Sequence, residues 1–230
     1  MSDAGPARPG QSQPQDLDPP ATPRLRGVSH QVAAFVFPAL GLVLILLAPT
    51  AAARVAVTVY TAGCTAMYTT SALYHRRRWS APARQRMRRL DHSMILVGIA
   101  ATYTPVAAIG LHPAVARVLL AVVWGLAGLG VIIRNAWLDA PRWLVASIYI
   151  AVGWTAVGVL PTLWSQLGAV TFSLLIAGGL LYSSGALVYS RQRPNPVPAV
   201  FGYHEVFHAL VLAAGLTFYA AVLRVVARAR

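Results

Sequence analysis

Seven apolar segments follow one another through this chain, each long enough to cross a membrane and nearly free of charge. Because an α-helix rises about 1.5 Å per residue, about 20 apolar residues span a hydrocarbon core about 30 Å thick. None of the segments shows the apolar and polar alternation that is typical of a membrane β-barrel strand. The pattern therefore predicts an all-α, seven-transmembrane helix bundle. Its segments are residues 31–53, 55–75, 91–110, 114–133, 143–161, 168–189 and 204–223.

The residues outside these segments are too few to form a sizeable domain in water. Residues 1–28 are rich in proline and glutamine and are predicted to be a disordered cytoplasmic tail. Residues 29–224 are predicted to form the transmembrane domain, and residues 225–230 an extracytoplasmic tail. The single cysteine, Cys64, lies inside an apolar segment and excludes an intramolecular disulfide.

The formal net charge of +13 would suggest a nucleic-acid partner in a soluble protein. Here all 19 basic residues are arginines in loops and at ends, which indicates membrane orientation and no nucleic-acid partner. Fourteen of them lie on the side shared by the N-terminal tail, including seven between residues 76 and 89. The positive-inside rule therefore predicts a multi-pass protein of the inner (cytoplasmic) cell membrane with a cytoplasmic N-terminus.

Five polar residues lie near the ends of three different segments, all on the predicted cytoplasmic side. Ionisable groups are costly close to lipid and usually mark a functional site there. The second segment ends at this side, and the third and the seventh begin at it. We therefore expect these side chains to meet near the inner leaflet. They are Ser71, His75, Asp91, His204 and His208.

The spacing of the histidines predicts a metal site. His204 and His208 are four residues apart, which places both imidazoles on one helix face. Two such nitrogens, joined by His75, can reach one ion at about 2.0–2.1 Å. Three histidines with one open position are the layout of a catalytic Zn²⁺ site. Asp91 would then hold or deprotonate the water, or orient an imidazole, while Ser71 shares a helix face with His75.

Each residue also has an ordinary structural interpretation. His75 alone fits a solvated interfacial histidine, and Asp91 fits the N-cap of the third helix. Ser71 alone fits a hydroxyl bonded back to its own helix. Glu205, on a different face from its histidine neighbours, is predicted to be interfacial. The other histidines are predicted to lie at interfaces or in loops, or to point away from the site; they are His30, His92 and His112.

Three stretches around these residues resemble the haemolysin III family, the bacterial branch of the progestin and adipoQ receptor group. They are SALYH, RRLDHSMILVGIAATYTP and FGYHEVFHALVLAAG, in the family's order, and the resemblance covers about residues 28–223. It implies a seven-helix bundle with its N-terminus inside, related to membrane proteins, including alkaline ceramidases, proposed to be metal-dependent hydrolases. It also implies that the family's polar residues fall on these five positions, with the three histidines binding zinc.

Three functions are compatible with this chain. The leading hypothesis is a zinc protein that hydrolyses a lipid amide or ester at the cytoplasmic leaflet, with Asp91 and Ser71 as catalytic residues; Ser71 would donate a hydrogen bond to the water or the developing oxyanion. The family name suggests a cytolytic, pore-forming protein instead, although no continuous polar stripe runs through the segments. A third hypothesis is a non-catalytic sensor of membrane state that zinc stabilises. The sequence leaves the substrate, catalytic turnover and oligomeric state open.

Overall fold

The structure is a computed structural model, which describes residues 22–230. Within that range the chain forms seven α-helices and no β-strand, which confirms the all-α class. A 3-10 segment, Thr155–Val159, joins the fifth and sixth helices. The helices are α1 Val28–Leu47, α2 Ala51–Arg76, α3 Ala81–Gly110, α4 Pro113–Ala136, α5 Arg142–Gly153, α6 Leu160–Arg191 and α7 Tyr203–Arg228.

Five helical stretches in residues 22–230 are long and apolar enough to cross a membrane: α1, α3, α4, α7 and the continuous stretch from Arg142 to Arg191. The membrane bundle class is therefore confirmed, while the predicted count of seven spans is not exact. α2 falls outside this set because it is rich in threonine and tyrosine. It packs along both α1 and α3, and Tyr60 and Tyr68 are each only 1% exposed. These two tyrosines of α2 are therefore sheltered by protein.

The stretch from Arg142 to Arg191 contains two irregularities. α5 ends at Gly153, and the 3-10 segment follows it. The Tyr103 hydroxyl donates to the Gly153 carbonyl at 2.6 Å and accepts from the Ala156 N–H at 3.2 Å, so it satisfies the interrupted backbone. Farther on, Gly168 has a φ of 73° and divides α6 into two helical parts. The sequence predicts a break between residues 161 and 168, and the structure has this break at residue 168.

α3 begins well before the predicted third segment. The sequence places a loop at residues 76–90, but helix α3 starts at Ala81 with a proline in its first turn. Arginine is a good helix former, so the helix continues past the apolar part of the segment. Asp91 is consequently the eleventh residue of α3, and Ser80 occupies the N-cap. The alternative that Asp91 caps the third helix is wrong.

The N-terminal segment, defined here as residues 22–27, docks on the loop before α7. The Arg24 and Leu25 N–H groups donate to the carbonyls of Ala199 and Val200, each at 3.1 Å. Residues 1–21 of the predicted tail lie outside the described residues. At the other end α7 extends to Arg228, past the predicted boundary at residue 224. The division into tails and membrane domain stays a prediction.

Candidate metal centre

Three histidines converge where the end of α2 meets the start of α7. His75 lies in the last turn of α2, and His204 and His208 lie in the first two turns of α7. Their nitrogens all lie within 4.8 Å of one another. The ring centroids are 4.6 Å apart for His75 and His204, 4.5 Å for His204 and His208, and 5.2 Å for His75 and His208. The structure thus brings together the three predicted ligands, called the three-histidine group below.

The geometry of this group suits a small divalent cation. Two nitrogens bound tetrahedrally to one zinc ion at about 2.0–2.1 Å would lie about 3.3 Å apart, and the Nε2 atoms of His75 and His204 are 3.1 Å apart. His208 is 2% exposed, and its Nδ1 is buried without a partner among residues 22–230. Imidazole is a preferred ligand of zinc and related transition metals. The donor set therefore fits a metal ion.

Ser71 and Asp91 are buried on the two helices that border the group. Ser71, 4% exposed, lies one turn before His75 on α2, and Asp91, 8% exposed, lies on α3. Ser71 does not bond back to its own helix. Its Oγ is instead 2.8 Å from Nδ1 of His30, and Asp91 lines the same cavity as both of these residues. Ser71 and Asp91 thus form one polar cluster with His30, which the sequence analysis did not assign to the site.

A cavity of about 150 Å³ adjoins this cluster. Its polar wall includes Ser71, Asp91, His204 and His208. The rest of the wall comes mainly from apolar residues of α3, α5, α6 and α7, among them Ile99, Val106, Leu160, Leu175 and Val211. Mostly apolar cavities with a few convergent polar groups are the usual form of a small-molecule site. The cavity could therefore hold an apolar ligand with one polar group next to the histidines.

His30 was missed by sequence reasoning, which placed it at an interface or in a loop. It is the third residue of α1 and only 3% exposed. Its ring stacks on that of His208, with centroids 3.8 Å apart and planes 13° apart, in addition to its contact with Ser71. Its position just before the first apolar segment was a signal of proximity to the cytoplasmic side. The segment's pattern could not show which face His30 occupies.

His112 and His92 are the other two histidines, and neither belongs to the three-histidine group. His112 caps α4, where its Nδ1 accepts from the Ala114 N–H at 3.4 Å, in agreement with a loop position. His92 is not part of the three-histidine group, and its Nδ1 lies 2.5 Å from the buried Arg134 guanidinium. His92 nevertheless lines the cavity. It therefore contributes to the wall without converging on the other rings.

The prediction for Glu205 is also wrong, since the sequence placed this residue at the interface. It is 3% exposed, forms an ion pair with Arg26 and accepts from the Gly202 N–H at 2.8 Å. Glu205 thus ties the N-terminal segment to the first turn of α7, next to His204. In the same segment a Cβ on Gly27 would be 2.7 Å from Cβ of His75. The N-terminal segment therefore packs directly against the three-histidine group.

Comparisons with known proteins show which proteins this chain is similar to. A family model described as Haemolysin-III related matches residues 20–219. The protein named Hemolysin-3 from Bacillus cereus is 35% identical over 176 residues, which are 76% of each chain. Hemolysin-3 homolog from Bacillus subtilis (strain 168) is 32% identical over 134 residues, 58% of this chain and 60% of that one. Heptahelical transmembrane protein ADIPOR2 from Oryza sativa subsp. japonica is 33% identical over 115 residues, 42% of this chain and 49% of its own length.

Proposed function

We propose that this chain, which belongs to the haemolysin-III related family, binds zinc and hydrolyses an amide or ester bond of a membrane lipid. The zinc ligands would be His75, His204 and His208. The observation that carries the proposal is their convergence within 4.8 Å beside a cavity with a mostly apolar wall. Three imidazoles with a position left for water are typical of catalytic rather than purely structural zinc sites.

The surrounding residues would share the chemistry as follows. When bound, zinc supplies Lewis acidity toward water and toward a carbonyl oxygen. The Asp91 carboxylate, in the cavity wall, would take a proton from the attacking water. Ser71, in the same wall, would donate its hydroxyl proton as a hydrogen bond to the carbonyl oxygen as negative charge develops there. Burial of both residues strengthens these interactions because little water competes for them.

A membrane lipid is the substrate class that the cavity favours. Its wall of aliphatic residues from four helices can receive an acyl chain, while the polar cluster would face the ester or amide bond. Seven arginines between residues 76 and 89 follow His75 directly in the sequence. By the positive-inside rule, they support a site at the cytoplasmic leaflet of the bacterial inner membrane.

Metal analysis of the purified protein tests the zinc assignment. We expect about one zinc ion per chain in the wild type, as in other mononuclear sites, and almost none in a His204→Ala/His208→Ala double variant. His112→Ala is the matched control, because it removes a histidine that caps α4 outside the group. Equal zinc contents in the double variant and the wild type would exclude these ligands.

Fatty-acid release from a panel of ceramides and glycerolipids in detergent micelles tests the catalysis. We expect Asp91→Asn to lower kcat by a factor of about 10²–10⁴, the usual contribution of a general base, with zinc content unchanged. A wild-type protein that binds zinc but releases no fatty acid from any lipid would contradict hydrolysis and leave a non-catalytic zinc protein.

A cytolytic function is the second candidate, because two of the similar Bacillus proteins carry the name hemolysin. Leakage of a dye from lipid vesicles distinguishes the two functions. Leakage that persists in the His204→Ala/His208→Ala variant would favour pore formation, because a pore does not need the metal ligands.

A further inference from the structure

His30 connects three helices at the candidate metal centre. It lies on α1, is 2.8 Å from Ser71 of α2 through Nδ1, and stacks on His208 of α7. Its side chain is also part of the cavity wall. The residue therefore touches one of the proposed ligands and one of the proposed catalytic groups at once.

We propose that His30 is a positioning residue of this centre, which orients the Ser71 hydroxyl by donating a hydrogen bond from Nδ1–H to Ser71 Oγ. The proposal rests on the proposed zinc site. With its oxygen held in this way, Ser71 directs its own proton away from His30, toward water or a lipid carbonyl oxygen at the metal centre, which makes Ser71 an outer partner of that centre. His30 thus acts through Ser71 and does not itself touch the reacting atoms.

The protonation of the cluster follows from the hydrogen-bonding capacity of each group. In the proposed function Ser71 donates its hydroxyl proton at the metal centre. A hydroxyl has one proton to give, so it cannot also donate to His30. Nδ1 of His30 must then carry the hydrogen, and Nε2 keeps a lone pair. This assignment fixes one neutral tautomer of the His30 ring.

A packing role alone does not explain a histidine at this position. His30 is 3% exposed, and its Nε2 is buried without a partner in the described part of the chain. Burying a ring nitrogen without a hydrogen bond is costly, so a site that needed only a stacked ring would favour an apolar one. The contact with Ser71 is what an apolar ring could not provide.

Two substitutions separate the hydrogen bond from the stack. His30→Asn keeps a side-chain N–H near the position of Nδ1 but removes the ring, whereas His30→Phe keeps an aromatic ring and removes both nitrogens. The measurement is the Kd for Co²⁺ and Zn²⁺ by chelator competition, together with the visible absorption of the Co²⁺-loaded protein. His112→Phe is the matched control and should leave both unchanged.

We expect His30→Phe to weaken metal binding about 10-fold, as loss of an outer partner of a metal site commonly does, and to change the Co²⁺ spectrum. His30→Asn should stay close to the wild type. In a Ser71→Ala background His30→Phe should have almost no further effect, because residues that act through one another are not additive.

Three results would overturn the proposal. The first is a Phe variant that binds metal like the wild type, and the second is an Asn variant at least as impaired as the Phe variant. The third is an undiminished effect of His30→Phe in the Ser71→Ala background. If the wild type bound neither metal, the zinc assignment would fail and this proposal with it. Wild-type binding with any of those three results would remove the role of His30 alone.

Discussion

Around the three-histidine group the backbone is packed against side chains, whereas at the end of α5 and in the 3-10 segment after it two glycines have no close neighbour in the described protein. A Cβ on Gly27 would be 2.7 Å from Cβ of His75, but a Cβ on Gly153 or Gly158 would meet nothing within 4 Å. Near the histidines, a hydrogen bond between His30 and Ser71 joins α1 to α2, and the ion pair of Arg26 with Glu205 joins the N-terminal segment to α7. Near α5, a 3-10 segment interrupts the helix and lines the cavity.

Dense packing around the histidines and sparse packing near α5 would allow one small bundle to combine a fixed polar centre with an adaptable pocket. Metal ligands and their supporting groups need positions held within fractions of an ångström, which dense packing provides. A pocket that exchanges a ligand draws on parts of the fold with few neighbours, since these open at low cost. We therefore expect substitutions to be severe at the packed end and mild along α5.

The largest effect is expected from breaking the ion pair of Glu205 with Arg26. Glu205→Gln removes the buried charge that Arg26 neutralises. Loss of one partner of a fully buried pair typically costs about 3–5 kcal/mol of unfolding free energy, and because Arg26 is 20% exposed we expect a loss of about 3 kcal/mol, at the lower end of that range. The measurement is denaturant or thermal unfolding in detergent. Asp139→Asn is the control, because Asp139 is 84% exposed in its pair with Arg88 and should change stability by less than about 1 kcal/mol. Similar losses in both variants would contradict a buried, structural Glu205.

A pair of glycine substitutions sharpens the comparison directly. Gly27→Ala places a Cβ at a φ of 76° and against His75, so the left-handed strain alone should cost about 1–2 kcal/mol. Gly158→Ala, which meets nothing within 4 Å, should be neutral or stabilise by about 0.4–1 kcal/mol through lower entropy of the unfolded chain. The readouts are Tm and, for Gly27→Ala, metal content. A larger loss at residue 158 than at residue 27 would reverse the assignment of the two regions.

The smallest effect is expected where a side chain repairs the broken α5 backbone. Tyr103→Phe removes the hydroxyl that bonds the Gly153 carbonyl and the Ala156 N–H, and should cost about 0.5–1.5 kcal/mol. Hydrogen exchange at Ala156 and Val157 should become faster at the same time, because the 3-10 segment loses its partner. Tyr182→Phe is the control, since Tyr182 lines the cavity without a hydrogen bond within residues 22–230. Unchanged exchange in Tyr103→Phe would show that the segment is held by packing alone.

The hydropathy of the sequence was sufficient to predict the helical membrane class and the helix ends that carry the site. His204 and His208 share a face because of their spacing within one helix, and that relation survives in any packing. The meeting of His75 with these two could be predicted from topology, since consecutive spans alternate in direction. The start of α3 could not be predicted from the sequence, because a run of arginines is compatible both with a loop and with a helix that extends into water.

The sequence alone thus determined what kind of chain this is and which helices carry the three converging histidines, because helix periodicity and span length are local properties. Only the tertiary structure decided that His30 and Glu205 belong to the same buried centre. Their partners Ser71 and Arg26 are 41 and 179 residues away along the chain. Hydropathy fixes the length of a helix but not its rotation about its axis, and that rotation determines which polar side chain turns toward a neighbouring helix.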